Sequence, residues 1–153
     1  MAGDAGIRET IVTLDELAAS LPSGLHDAKL LSFAIDHPRQ RMTLDLRIDV
    51  GDPDAPDAAA REARRPVRLV FTGLVLCAVD PPDSRYPFDR AGPLTIDAGD
   101  GEPSTSPRVL PPVPPGAFLS WIFVYEWNAF LRVVARDVRI EEPPRVGDAV
   151  TPP

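Results

Sequence analysis

Lysine occurs once in this sequence, as Lys29, and cysteine once, as Cys77; histidine is confined to His26 and His37. A single cysteine cannot close an intramolecular disulfide, and without a second thiol there is no Cys-based zinc site. Cys77 lies in the apolar run of residues 74–79 and reads as a buried structural thiol rather than a nucleophile. Positive charge is also scarce. Sixteen basic residues face twenty-three acidic ones, giving a net charge of −7 over 153 residues. No basic stripe exists to displace counterions from phosphates, so nucleic acid is excluded as a partner. An acidic surface keeps a protein soluble or meets a basic protein partner. The apolar run at residues 69–79 spans eleven positions, too few to cross a bilayer. Residues 1–10 carry Asp4 and Glu9 in place of the apolar core of a signal peptide, so the expected address is the cytoplasm, away from membranes.

Proline is what the chain has in excess. There are 19, and all but Pro22 and Pro38 lie beyond residue 50, which keeps long helices out of most of the sequence. One short helix is expected before that point. Thr13 and Glu16 form a capping box; Leu14, Leu17, Ala18 and Leu21 share a face, and Pro22 with Gly24 ends it. The period then changes to two. Residues 29–36 alternate, with Leu31, Phe33 and Ile35 on one face and Leu30, Ser32 and Ala34 on the other. After a turn at His37-Pro38-Arg39-Gln40, Met42, Leu44, Leu46, Ile48 and Val50 alternate with polar residues, predicting a hairpin whose second strand has one dry face.

Residues 51–65 read as a polar loop in which Ala58 to Ala63 has the character of a helical turn but no apolar face. Residues 66–79 read as a third strand, bent at Gly73 and central in its sheet. A loop at 80–116 holds ten prolines, with only residues 94–97 strand-like, and residues 97–109 are expected to be mobile. Residues 118–125 fit a strand, and a helix over 118–131 is the competing reading. A last strand spans 130–140. The expected fold is a mainly β, antiparallel sandwich or half-open barrel of five to seven strands with one short N-terminal helix. It forms a single domain over residues 1–142, followed by a disordered tail at 143–153.

Sites for chemistry are few. His26-Asp27 is an adjacent pair of the kind metal-dependent phosphohydrolases use, but such enzymes need further ligands. His37 and Asp36 lie about 30 Å away along a straight strand. No Gly-x-Ser-x-Gly elbow and no phosphate loop occur, and Asp52, Asp54 and Asp57 lack the glycine and glutamate of a calcium loop. Arg108 followed by Leu110-Pro111-Pro112-Val113-Pro114 has the form of a polyproline II ligand or a stiff connector. Six of the ten aromatics fall between Phe118 and Phe130. Trp121, Phe123, Tyr125 and Trp127 occupy successive odd positions, as a core stripe or a binding face would.

The stretch Leu25-His26-Asp27-Ala28-Lys29-Leu30, with Asp36 and the alternating strand that follows, resembles the opening of small uncharacterised bacterial β-rich proteins. Some of those are grouped with immunity proteins of polymorphic toxin systems. The likeness covers about the first fifty residues, with an echo at Trp127-Asn128-Ala129. It implies a non-catalytic, one-domain antiparallel sheet and transfers no catalytic residue. The expected function is therefore protein binding, of the immunity type that neutralises a toxin, without cofactor or metal. The candidate residues are His26, Asp27, Trp121, Tyr125, Trp127 and Asn128. The alternatives are a small enzyme or metal-binding protein centred on His26 and Asp27, and a small-ligand β-barrel using the aromatic block. The oligomeric state stays open.

Overall fold

The computed structural model describes residues 12–103 and 110–143. The elements in chain order are α1 (Leu14–Ala19), β1 (Ala28–Asp36), β2 (Arg41–Asp49), α2 (Ala58–Arg61), β3 (Arg64–Thr72), β4 (Leu76–Val79), β5 (Leu94–Asp100), β6 (Phe118–Val124), a 3-10 turn (Tyr125–Trp127), β7 (Ala129–Ala135) and β8 (Asp137–Glu141). The strands form one open antiparallel sheet of eight, in the order β4-β7-β6-β5-β1-β2-β3-β8. The mainly β class agrees with the sequence. The strand count exceeds the expected five to seven, the two layers of a sandwich are replaced by one sheet, and α2 adds a second small helix. The expected tail beyond Pro143, and the Arg108 end of the proline-rich motif, fall outside the described residues.

The extra strands come from one corner. The expected third strand divides at Gly73 into β3 and β4, and the expected last strand divides at Arg136 into β7 and β8. β3 pairs with β8 and β4 with β7, so the two breaks lie side by side on a bent two-stranded ribbon. The Arg136 amide donates to the Thr72 carbonyl, 3.1 Å, and the Val75 amide to the Val134 carbonyl, 2.8 Å. Gly73 makes the corner possible. Its φ is +59°, and a Cβ there would stand 2.8 Å from Cβ of Arg136. The ribbon links the two ends of the sheet, which curls around one apolar core. After the corner the chain sits at the sheet edge: β4 is half-exposed and unlike the central strand expected there.

Met42, Leu44, Leu46 and Ile48 of β2 are fully buried, as their alternation requires, while Val50 lies just past the strand and is half-buried. β1 departs from its expected phase. Leu30 pairs with Leu46 and Ser32 with Asp45, which leaves Leu31 as a bulge, 44% exposed. The bulge switches faces midway, so Ala28 and Leu30 point inward before it and Phe33 and Ile35 after it.

Helix α1 lies against β5 and β8. Thr13 Oγ1 accepts from the Glu16 amide and the Glu16 carboxylate accepts from the Thr13 amide, the expected capping box. The Leu14 and Asp15 amides donate to the Asp100 carboxylate at 3.1 and 3.0 Å, and Ser120 Oγ donates to it at 3.0 Å. This use of Asp100 explains why β5 runs three residues past the expected 94–97. It also places Asp97 to Asp100 in the sheet, against the mobility expected for residues 97–109; residues 104–109 lie outside the described ones.

Candidate functional site

Residues 118–124 form a strand, so the helix reading falls. Ser120, Ile122 and Val124 are buried, and Ile122 and Val124 join the core, which turns Trp121 and Phe123 to the outer face. Trp121 and Phe123 face outward, while Phe118 keeps the inward side with the smaller side chains. Across the ladders, Phe123 stands between Asp97 on β5 and Phe130 on β7, and Trp121 between Gly99 and Arg132. The outer face thus carries two rows: Asp97–Phe123–Phe130 and Gly99–Trp121–Arg132.

Both rows are packed. Trp121 meets Phe130 edge-on at 6.0 Å, and Phe123 lies 4.9 Å from Phe130 and 5.1 Å from Tyr125. The Trp121 indole extends over Gly99, where a Cβ would stand 2.7 Å from the ring. Arg132 is completely buried. Its guanidinium lies over the Phe130 ring at 5.4 Å, bonds Asp80 Oδ2 at 2.7 Å and comes within 3.9 Å of Glu102. An arginine in the otherwise apolar Phe130-to-Ala135 stretch was the signal in the sequence for this buried centre, and sequence reasoning passed over it.

The turn before β1 delivers His26 and Asp27 to the same face. Asp27 adopts φ +57°, a left-handed conformation that Asp tolerates, and this swings the chain into β1. His26 then stands between two carboxylates, with Nε2 3.5 Å from Asp27 and Nδ1 3.5 Å from Asp97. The Arg64 guanidinium donates to the Asp27 main-chain carbonyl at 3.1 Å. The Tyr125 phenol is pushed above its ordinary pKa, first by partial desolvation and then by the charges of Asp97 and Asp27. The structure therefore brings His26, Asp27 and Tyr125 together, and adds Asp97 and Phe123 to them. His26 and Asp97 are too far apart in the chain for spacing to reveal the contact.

Trp127 and Asn128 serve the hairpin instead. Trp127 packs against the core, unlike the other aromatics at odd positions. Asn128 takes φ +45° to close the turn, and its amide side chain donates to Asp83 at 3.1 Å. The Asp83 amide donates in turn to the Trp127 carbonyl at 2.8 Å, pinning the start of the proline-rich loop to the hairpin. Arg85 and Asn128 hold the Asp83 carboxyl well below the usual range.

Beside this turn, the Glu126 carboxylate accepts from the Thr95 amide at 2.8 and 2.9 Å, and Lys29 Nζ donates to Thr95 Oγ1 at 2.8 Å. Burial opposes ionisation of Glu126, but the Thr95 bonds, its own amide and the Lys29 charge outweigh it and lower the pKa. A carboxyl whose pKa is depressed on folding stabilises the protein above its unfolded pKa and loses that contribution as pH falls through the folded value. Glu126→Gln should accordingly lower the urea midpoint at pH 7, and the gap from wild type should narrow as pH falls below the ordinary range of a glutamate carboxyl. A gap that persists unchanged in acid would contradict this account.

The geometry does not build a metal centre. The two carboxylates at His26 lie against different ring nitrogens, so they do not converge with one imidazole lone pair on a common point. Among the described residues, no three His, Cys, Asp or Glu side chains group as metal ligands. Asp36 and His37 sit at the far end of β1. Burial pushes the Cys77 thiol up to about 11, as suits a structural cysteine. An open groove of about 540 Å³ lies elsewhere, between Arg65, Val67, Ile140 and Glu142, and no candidate residue borders it. Among the described residues, no helix is long and apolar enough to cross a membrane.

No protein-family model matches the chain, and no curated protein matches it. Among solved structures, the chain is similar to an uncharacterized protein from Neisseria gonorrhoeae, at 12% identity and a TM-score of 0.43. That likeness covers 77% of this chain and 93% of the other. It is distant and transfers neither residues nor activity. None of these comparisons points to immunity proteins or toxins.

Proposed function

We propose that this is a non-catalytic protein-binding domain that engages its partner through the outer face of β5, β6 and β7. The supporting observation is the division of the outer surface. Over β2, β3 and β8 the outward side chains are tied to one another: Arg68 to Asp45 at 2.8 Å, Arg41 to Glu141 at 3.1 Å, and Arg139 to Glu141 at 2.8 Å. Over β6 and β7 the outward face is built around rings, with Asp97 of β5 and Arg132 beside them. Trp121, Phe123 and Phe130 remain partly exposed and Tyr125 is 40% exposed. Aromatic side chains at a surface supply large contact area at little conformational cost, which is why they anchor interfaces. The likeness of the first fifty residues to immunity-grouped proteins makes a toxin the candidate partner of this reading.

A photo-crosslinking amino acid placed at position 123 or 125 tests it in cells of the source organism. A defined protein adduct is expected from those positions and none from position 43, on the ion-paired half. The same adducts at 43, or no protein adduct at 123 and 125, would remove the proposal.

A further inference from the structure

The two rows of the aromatic face differ in one respect. The Trp121 row supplies an arginine of this chain, and its guanidinium occupies the neighbouring Phe130 ring and a nearby carboxylate. Arg132 lies over Phe130 and bonds Asp80. In the Phe123 row the same kinds of group recur. Asp97 stands directly opposite Phe123, and Tyr125 meets Phe123 edge-on at 5.1 Å. No arginine side chain of this chain reaches the Asp97 carboxylate among the described residues. It accepts the Ala98 amide at 2.9 Å and faces His26 at 3.5 Å, with a third of its side chain exposed.

Asp45, Asp80, Asp83 and Glu141 are placed differently: each has an arginine within 3.1 Å. Lys29, the one lysine, is directed to Thr95 and bears on Glu126. The exposed end of the face therefore combines ring surfaces with a carboxylate that no guanidinium neutralises. A guanidinium meets both needs at once, since its plane lies on an aromatic ring while its N–H groups fork onto a carboxylate. An ammonium, compact and strongly hydrated, meets them less well. The net charge of −7 favours approach of a basic partner from any direction.

We infer that the partner inserts an arginine side chain against Phe123 and Tyr125, with its guanidinium on the Asp97 carboxylate. This rests on the binding reading above and names the chemistry that the face selects.

The probe is the capped tripeptide acetyl-Gly-Arg-Gly-amide, titrated into the full chain and followed by amide and aromatic NMR shifts. Its citrulline counterpart has nearly the same shape without the charge. Saturable shifts are expected at Asp97, Phe123 and Tyr125 with arginine and not with citrulline. Asp97→Asn keeps the oxygen that accepts the Ala98 amide, so an otherwise unchanged spectrum would confirm its fold. It should weaken binding about tenfold. Asp36→Asn removes the same charge at the far end of β1 and should change affinity by less than about twofold. Equal weakening by both variants, equal binding of citrulline, or shifts scattered over the acidic loops would overturn the inference. If the tripeptide shows no such binding while position 125 still gives a protein adduct, the binding face stands and only the arginine is lost. If both fail, both readings fall.

Discussion

Leu46→Asp is expected to unfold the domain, whereas Arg47→Asp, one residue along the same strand, is expected to leave it intact. Leu46 is 1% exposed in the middle of β2, between Leu30 and Val67 across its two ladders. A carboxylate there would lose its water without gaining a partner and would remove the packing of a full leucine, costing about 4 kcal/mol or more. That is a large share of the stability of a typical domain, about 5–15 kcal/mol, and enough to unfold one near the lower end. Arg47 is exposed and stands opposite Lys29, so an acidic residue there meets opposite charge and should shift stability by no more than about 0.5 kcal/mol. Urea midpoints of the two variants decide the matter. Equal destabilisation by both would refute the register of β2.

Arg132→Met should be nearly as damaging, by a different route. The side chain is fully buried and its Asp80 partner is 14% exposed. Methionine fills much of the arginine volume, so packing loss is small. The damage arises because Asp80 is left charged in a place where water hardly reaches. Breaking a buried pair from one side costs about 3–5 kcal/mol, while replacing both members by apolar residues is often close to neutral. Arg132→Met combined with Asp80→Leu should therefore be more stable than Arg132→Met alone. A double variant no better than the single would mean that the arginine acts through its ring contacts with Phe130 rather than through charge.

What was legible in the sequence followed from how uniform each local pattern was. β2 alternates without a fault and could be assigned residue by residue. β1 could not, because Leu30 and Leu31 are equally apolar and only pairing with β2 decides which becomes the bulge. The end of β5 was hidden because Gly99 and Asp100 are poor strand formers. They belong there for tertiary reasons: Gly99 makes room for the Trp121 indole, and Asp100 receives the amides of α1. The aromatic block was legible as a stripe but not as a side. Hydrophobicity places the largest rings inside, yet the interior beside β6 is filled mainly by Leu, Ile and Val, and Trp121 and Phe123 face out. Of the site, His26, Asp27 and Tyr125 were visible as residues, and their convergence with Asp97 was not, since it is made by the pairing of β1 with β5 and β5 with β6.

The corner at Gly73 and Arg136 has a kinetic consequence. The hairpins β1–β2 and β6–β7 join neighbours in the chain and close with short loops, but the ribbon of β3–β4 on β7–β8 joins residues more than fifty positions apart. The entropy of closing those loops must be lost before any ribbon contact forms, so local hairpins cannot zip the molecule shut by themselves. Folding should accordingly run on the millisecond-to-second scale of non-local β topologies, with the ribbon as its rate-determining closure. Gly73 and Arg136 belong to that closing step, so changes at the corner should be felt mainly as slower folding.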